Sequence, residues 1–170
     1  MKLSTRAVIL VFLGTISCSS ARPLAPPIAP PVHDQLIVPG ARVGPIALGM
    51  SSASLFEIMG APEESMRFKD SMSAVYSSSG VNALVLDATS QVFSISATDR
   101  RYSTAQGIQI GSTELEIRAK MGVPSSDTRL GNTHEMCYET GISFTISLEG
   151  RVQYIEVHPT LAANGPRSHC

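Results

Sequence analysis

With 170 residues and 13 Lys and Arg against 14 Asp and Glu, the chain has a formal net charge of −1. Its only basic doublet, Arg100-Arg101, reads as a solvated loop, so the sequence lacks the clustered basic face on which nucleic-acid binding rests. No Trp, five Phe and four Tyr leave the core to aliphatic side chains and methionine, and the three cysteines show no CxxC or Cys/His spacing of a zinc site.

Met1 to Arg6 carries Lys2 and Arg6, and Ala7 to Ile16 is apolar apart from Gly14 and Thr15. A basic start followed by a short apolar run is the layout of a signal peptide, and at roughly ten residues the run is too short to span a bilayer, which takes about 20. Cleavage can fall before Cys18 or after the small residues Ser19, Ser20 and Ala21. The stretch Thr15-Ile16-Ser17-Cys18 resembles the bacterial lipoprotein signal, although Thr15 stands where that signal usually has Leu. The resemblance implies a leader over residues 1–18, with Cys18 diacylated (palmitate-labelled) and tethered to the membrane; two or more chains anchor stably where one does not.

Residues 19–40 follow, with Pro23, Pro26, Pro27, Pro30, Pro31 and Pro39. Such a segment resists helix and central strand and is expected to be an extended tether, at about 3.1 Å per residue.

Beyond the tether the sequence matches itself. "IALGMSSASLFEIMGAPEES" from Ile46 aligns with "IQIGSTELEIRAKMGVPSSD" from Ile108, placing Gly49, Met59, Gly60 and Pro62 on Gly111, Met121, Gly122 and Pro124. Tyr76 continues onto Tyr138, and after a slip of one or two positions Val92 and Ile95 fall on Val152 and Ile155. We therefore expect two tandem α+β units, residues 41–100 and 101–158, before a flexible tail at 159–170. Each should be a short helix on an antiparallel meander of three or four strands, the two forming one continuous sheet.

In the second unit Thr113 and Glu116 make a capping box, Glu114 and Glu116 suit the positive helix end, and Arg118 and Lys120 the negative one. Gly122 and Pro124 stop the helix. The alternation then puts Ile142, Phe144, Ile146 and Leu148 on one strand face, and Val81, Ala83 and Val85 do the same in the first unit.

The Gly-Met-Ser, short apolar helix and Met-Gly-Ala-Pro string, followed by a meander, resembles the SmpA/OmlA-like outer-membrane assembly lipoproteins and the tandem-repeat β-lactamase inhibitor proteins. The likeness spans roughly residues 43–158 and rests on glycines, a cap and core positions. It lacks the inhibitors' cysteine pair in each repeat and their aromatic outer sheet face. The resemblance implies a non-enzymatic protein-binding or structural module of the bacterial envelope, an outer-membrane lipoprotein facing the periplasm with an envelope protein as partner. The alternative is a secreted or periplasmic enzyme inhibitor.

No catalytic motif stands out. In "HEMCYE" alternation separates His134 from Cys137, so no Cys-His nucleophile forms within that strand. Glu63 and Glu64 beside Pro62 read as a solvated turn. No cofactor, metal or small-molecule substrate is expected. If Cys18 is acylated, Cys137 and Cys170 remain as a disulfide candidate in an oxidising compartment. The partner is expected on the sheet face away from the helices, at Asn82, Leu84, Leu86, Ser143, Thr145, Tyr154 and Glu156. Leu84 and Leu86 beside Tyr154 would form its apolar centre.

Replacing Cys18 by Ala should leave the precursor unprocessed or shift the protein from the membrane to the soluble fraction. Cell fractionation with palmitate labelling checks this, and an unchanged membrane fraction and mature mass would exclude the anchor.

Overall fold

The computed structural model describes residues 34–160, which fall within one compact unit. The signal segment, Cys18, the proline-rich stretch up to residue 33 and the tail from residue 161 with Cys170 lie outside the described residues.

Among the described residues, two helices and twelve short strands make a mixed α+β fold, mostly antiparallel. The chain opens with β1 (Leu36–Val38), β2 (Arg42–Val43) and β3 (Ile46–Ala47), then α1 (Ser52–Met59) and a meander of β4 (Glu64–Arg67), β5 (Ser71–Tyr76), β6 (Val81–Leu86) and β7 (Gln91–Ala97). After β8 (Ser103–Thr104) the pattern returns as α2 (Glu114–Met121) and β9 (Ser126–Leu130), β10 (Thr133–Tyr138), β11 (Ile142–Ile146) and β12 (Val152–Val157). The expected extended tether through residue 40 therefore ends early. Ile37 is 1 % exposed in β1, because Leu-Ile-Val has the strand propensity and apolar character to outweigh the neighbouring prolines.

Both helices start and stop as their sequences dictate. Ser51 caps α1 by accepting from the Ser54 amide, and Thr113 with Glu116 completes a reciprocal capping box on α2. Gly60 and Gly122 then take positive φ and return their amides to Phe56 and Arg118.

The two meanders join through β7 and β12, where Ile155 pairs with Ala97 and Val157 with Ile95, giving one eight-stranded sheet in the order β4-β5-β6-β7-β12-β11-β10-β9. A smaller sheet runs β3-β2-β1-β8, with β1 and β8 parallel. Alternation along the large sheet aims Ala83, Val85, Ile95, Phe144, Ile146 and Ile155 at one face, where Leu55 of α1, Ile117 of α2 and Ile37, Val43 and Ile46 of the small sheet close a single core. Leu148, expected to continue this inward row, lies beyond β11 in the turn and is 73 % exposed.

Matched hydrogen bonds recur in the two halves. The Tyr76 hydroxyl donates to the Gly60 carbonyl at 3.4 Å and the Tyr138 hydroxyl to that of Gly122 at 3.2 Å. Gly49 and Gly111 each donate to a β-strand carbonyl, of Val92 and Val152, at 2.8 Å.

Gly141 has φ +83°, and a Cβ built there would stand 2.5 Å from the His158 oxygen and 2.6 Å from the Gly40 Cα, whereas Gly131, at φ +59°, has nothing nearby. Gly141→Ala should therefore cost about 2–4 kcal/mol, combining left-handed strain with a backbone clash, and Gly131→Ala only about 1 kcal/mol. Denaturant titration of both variants checks the difference.

Candidate functional site

Because one sheet face is buried, every second residue belongs to the other, which carries no helix among the described residues. Register fixes who meets whom there. Asn82 pairs with Ser96, Ser96 with Glu156, and Glu156 with Ser143, so three of the residues expected from sequence share one row. Thr145 pairs with Tyr154. Asn82, Leu84, Leu86, Thr145 and Glu156 are half-buried and Tyr154 is 48 % exposed.

Two details correct the expectation. Ser143 is only 3 % exposed and offers no contact surface. Tyr154 does not adjoin the leucines: β6 and β12 each pair antiparallel with β7, so from the shared Asn82–Glu156 row Leu84 and Leu86 run one way and Tyr154 lies the other way.

The companions of Leu84 and Leu86 come from β5 and from β4, a strand the sequence reading did not define. Leu84 pairs with Ser73, which pairs with Met66; Leu86 pairs with Ser71, whose carbonyl accepts from the Phe68 amide at 2.8 Å. Phe68 continues the alternation from Met66. The sheet thus presents a serine-floored strip with leucines on one side and Met66 and Phe68, 45 % and 56 % exposed, on the other. β4 is an edge strand, ending the sheet. Its signal was present in "ESMRF", where apolar positions alternate before Lys69-Asp70. Glu64 opens this strand, while Glu63 accepts from the Ser78 amide at 3.0 Å and from its hydroxyl, interactions that hold its carboxyl below the usual range.

A second constellation lies on the helix-facing side of the opposite edge. His134 of β10 is 5 % exposed, with Nε2 2.6 Å from Asp127 Oδ1 on β9 and Nδ1 3.5 Å from Glu114 Oε2 at the start of α2. Arg118 of α2 donates to Glu114 at 2.9 Å and to Asp127, and Arg129 reaches Glu114 at 3.3 Å. The group borders a cleft of about 340 Å³ lined also by Asn132, Ser147 and Glu149.

Ligand atoms of Glu114, Asp127 and His134 lie within 4.8 Å of one another, which invites a metal reading. The charges argue otherwise. Two guanidinium groups match two carboxylates, the two ring nitrogens turn to different acids, and a cation would have to displace Arg118 from both. The arrangement fits a clamp that pins α2 to the sheet edge. The positions of the first half at the offset linking Gly49 to Gly111 are Ser52, Phe56, Ser65, Arg67 and Met72, so only Arg129 has a like residue there.

Cys137 and His134 occupy opposite faces of β10, as alternation required. Cys137 is 2 % exposed and disulfide-bonded. Cys18 and Cys170, the other two cysteines, lie outside the described residues.

Arg118 first, and then His134, hold the Asp127 carboxyl below the usual carboxylate range. A depressed folded-state value stabilises above the unfolded carboxyl pKa of about 3.9 and is lost as pH falls below it. Thermal melts from pH 7 to pH 2 should therefore show Asp127→Asn with a lower midpoint than wild type at pH 7 and a shallower decline below about pH 4.

No family model matches the sequence, and no curated protein matches it. Among solved structures, the fold is similar to an extracellular SCP-domain protein from Bacillus anthracis (10 % identity, TM-score 0.47, covering 66 % of this chain and 44 % of that one). It is also similar to a DUF4309 family protein from Bacillus subtilis (12 %, TM-score 0.49, 64 % and 78 %) and a cysteine-rich secretory protein from Staphylococcus aureus (13 %, TM-score 0.48, 74 % and 50 %). The chain therefore spans half or less of the SCP-domain and cysteine-rich secretory chains. At these scores the likeness carries no functional argument.

Proposed function

We propose that this chain is a non-enzymatic protein-binding module of the bacterial envelope, carried as a lipoprotein on Cys18 and facing the periplasm, and that it receives a protein partner on its open sheet face. The observation that supports this most is the apolar strip of Met66, Phe68, Leu84 and Leu86 beside an unpaired sheet edge. Isolated exposed apolar residues need no explanation, but four grouped around small serines have the composition of an interface centre. An extended partner segment could add main-chain hydrogen bonds along β4 while its side chains enter the strip.

The proposal includes duplication: residues 41–100 and 101–158 as two copies of one helix-and-meander unit, in the manner of the SmpA/OmlA-like and inhibitor proteins. Matched caps, tyrosine hydroxyls and glycine amides support it. The copies have then diverged, since Met66, Leu84 and Leu86 correspond to Thr128, Thr145 and Ser147 in the second, while Phe68 corresponds to Leu130. An apolar strip complete in only one copy is what a dedicated contact surface would leave.

No helix among the described residues is long and apolar enough to cross a membrane, so envelope attachment in this account falls to the leader cysteine. The test is a pull-down from native membranes with the full chain. Met66→Ser with Phe68→Ser, both well exposed, should reduce partner capture about tenfold or more, the equivalent of about 1.4 kcal/mol, with the thermal midpoint nearly unchanged. Leu84→Ser with Leu86→Ser should act in the same direction. Undiminished capture by a folded Met66/Phe68 variant would refute the site.

A further inference from the structure

We infer that the partner of the apolar strip is a second copy of this chain, paired antiparallel through β4 about a twofold axis at Met66, so that two eight-stranded sheets become one. This names the occupant of the surface proposed above and rests on that reading of it. The first observation is which backbone groups β4 leaves unused. Its pairs with β5 run Glu64–Val75, Ser65–Ala74, Met66–Ser73 and Arg67–Met72, and the Phe68 amide donates to the Ser71 carbonyl at 2.8 Å in the same register. Hydrogen-bonded pairs alternate with non-bonded ones along an antiparallel ladder, so Glu64 and Met66 turn their peptide groups to β5, and Ser65 and Arg67 turn theirs outward. All four residues are exposed, and β4 ends the sheet.

The second is register. Outward groups must meet outward groups and the open face must continue as an open face, which limits a twofold pairing to axes at Ser65, Met66 or Arg67. An axis at Ser65 sets Arg67 against the second copy's Glu63, whose amide is already given to the Val75 carbonyl at 2.9 Å. An axis at Arg67 sets guanidinium directly opposite guanidinium, which destabilises. An axis at Met66 sets Ser65 opposite the second copy's Arg67, and Arg67 opposite its Ser65, and each of these pairs exchanges both its amide-to-carbonyl bonds. Every outward peptide group of Ser65 and Arg67 is then used.

The third is what this alignment brings together. Met66 meets its copy as a non-hydrogen-bonded pair, the closer kind, at about 4.5 Å between Cα atoms. The row Ser94, Leu84, Ser73 and Met66 then runs on into the same row of the second copy, with each Phe68 two positions from the axis, and two apolar strips merge into one centre. Charge agrees with the direction. The segment begins acidic at Glu63-Glu64 and ends basic at Arg67 and Lys69, so antiparallel copies bring opposite charges together where parallel copies would set like against like. The other edge of the sheet is not equivalent: Thr128 of β9 stands where β4 has Met66, and Asp127 and Arg129 are held by Arg118 and Glu114.

The test is sedimentation equilibrium of the full chain in mild detergent over a concentration series. A monomer–dimer equilibrium is expected for wild type and for Ser65→Ala, which keeps the outward amide. Ser65→Pro removes that amide and no bond to β5, so it should weaken the dimer about tenfold or more, with the thermal midpoint nearly unchanged at concentrations where both chains are monomeric. Met66→Cys, oxidised in air, should give a tryptic product in which residues 43–67 are disulfide-linked to a second copy of the same peptide, which has no native cysteine. A monomer at every concentration, or a dimer equally strong in Ser65→Pro, would overturn the inference. The underlying reading is decided apart from it: a monomeric wild type whose membrane capture still falls on Met66→Ser with Phe68→Ser refutes the second copy and keeps the strip as a contact surface, whereas a monomer whose capture is unaffected refutes both.

Discussion

Everything in this fold depends on the antiparallel pairing of β7 with β12. Each meander alone has four strands and one short helix, too little to bury an apolar face well. Joining them places Ile95, Ala97, Ile155 and Val157, all fully buried, at the centre of one sheet and lets α1, α2 and the small sheet close over a shared core. Because side chains alternate, the same pairing leaves the opposite face without a helix among the described residues and sets Met66, Ser73, Leu84 and Ser94 in one row across it.

The two halves share a backbone plan and differ in chemistry. At the second half's edge, helix and sheet are pinned by Glu114, Arg118, Asp127, Arg129 and His134, and the outer face carries Ser126, Thr128, Ser143 and Thr145 beside Glu135, Cys137, Tyr154 and Glu156. In the first half the clamp positions carry Ser52, Phe56, Ser65 and Met72, and the outer face carries the apolar strip. Exposed ion pairs contribute little singly, but the second-half cluster is a network around a buried imidazole, and its members act together. In this account one edge is given to stability and the other to contact.

Much of this was legible from sequence because it rests on local chemistry. The caps at Ser51 and Thr113, the stops at Gly60 and Gly122, and the inward rows of β6 and β11 all followed from short-range patterns. The outward placement of Leu84 and Leu86 followed from the same alternation. What failed was long-range. Tyr154 was set beside the leucines because single-strand alternation gives a face and no height along the neighbouring strand, which only the β7 register supplies. Met66 and Phe68 were missed because β4 is short and follows a proline-marked turn. The Glu114–Asp127–His134 cluster spans three elements and has no sequence spacing of its own.

The most direct measurement of the central claim is differential scanning calorimetry of the chain in dilute buffer. One shared core across the β7–β12 joint predicts a single transition whose calorimetric and van't Hoff enthalpies agree. Two resolved transitions, or a calorimetric enthalpy about twice the van't Hoff value, would mean that residues 41–100 and 101–158 unfold as independent units, and a single sheet with one buried and one open face would be contradicted.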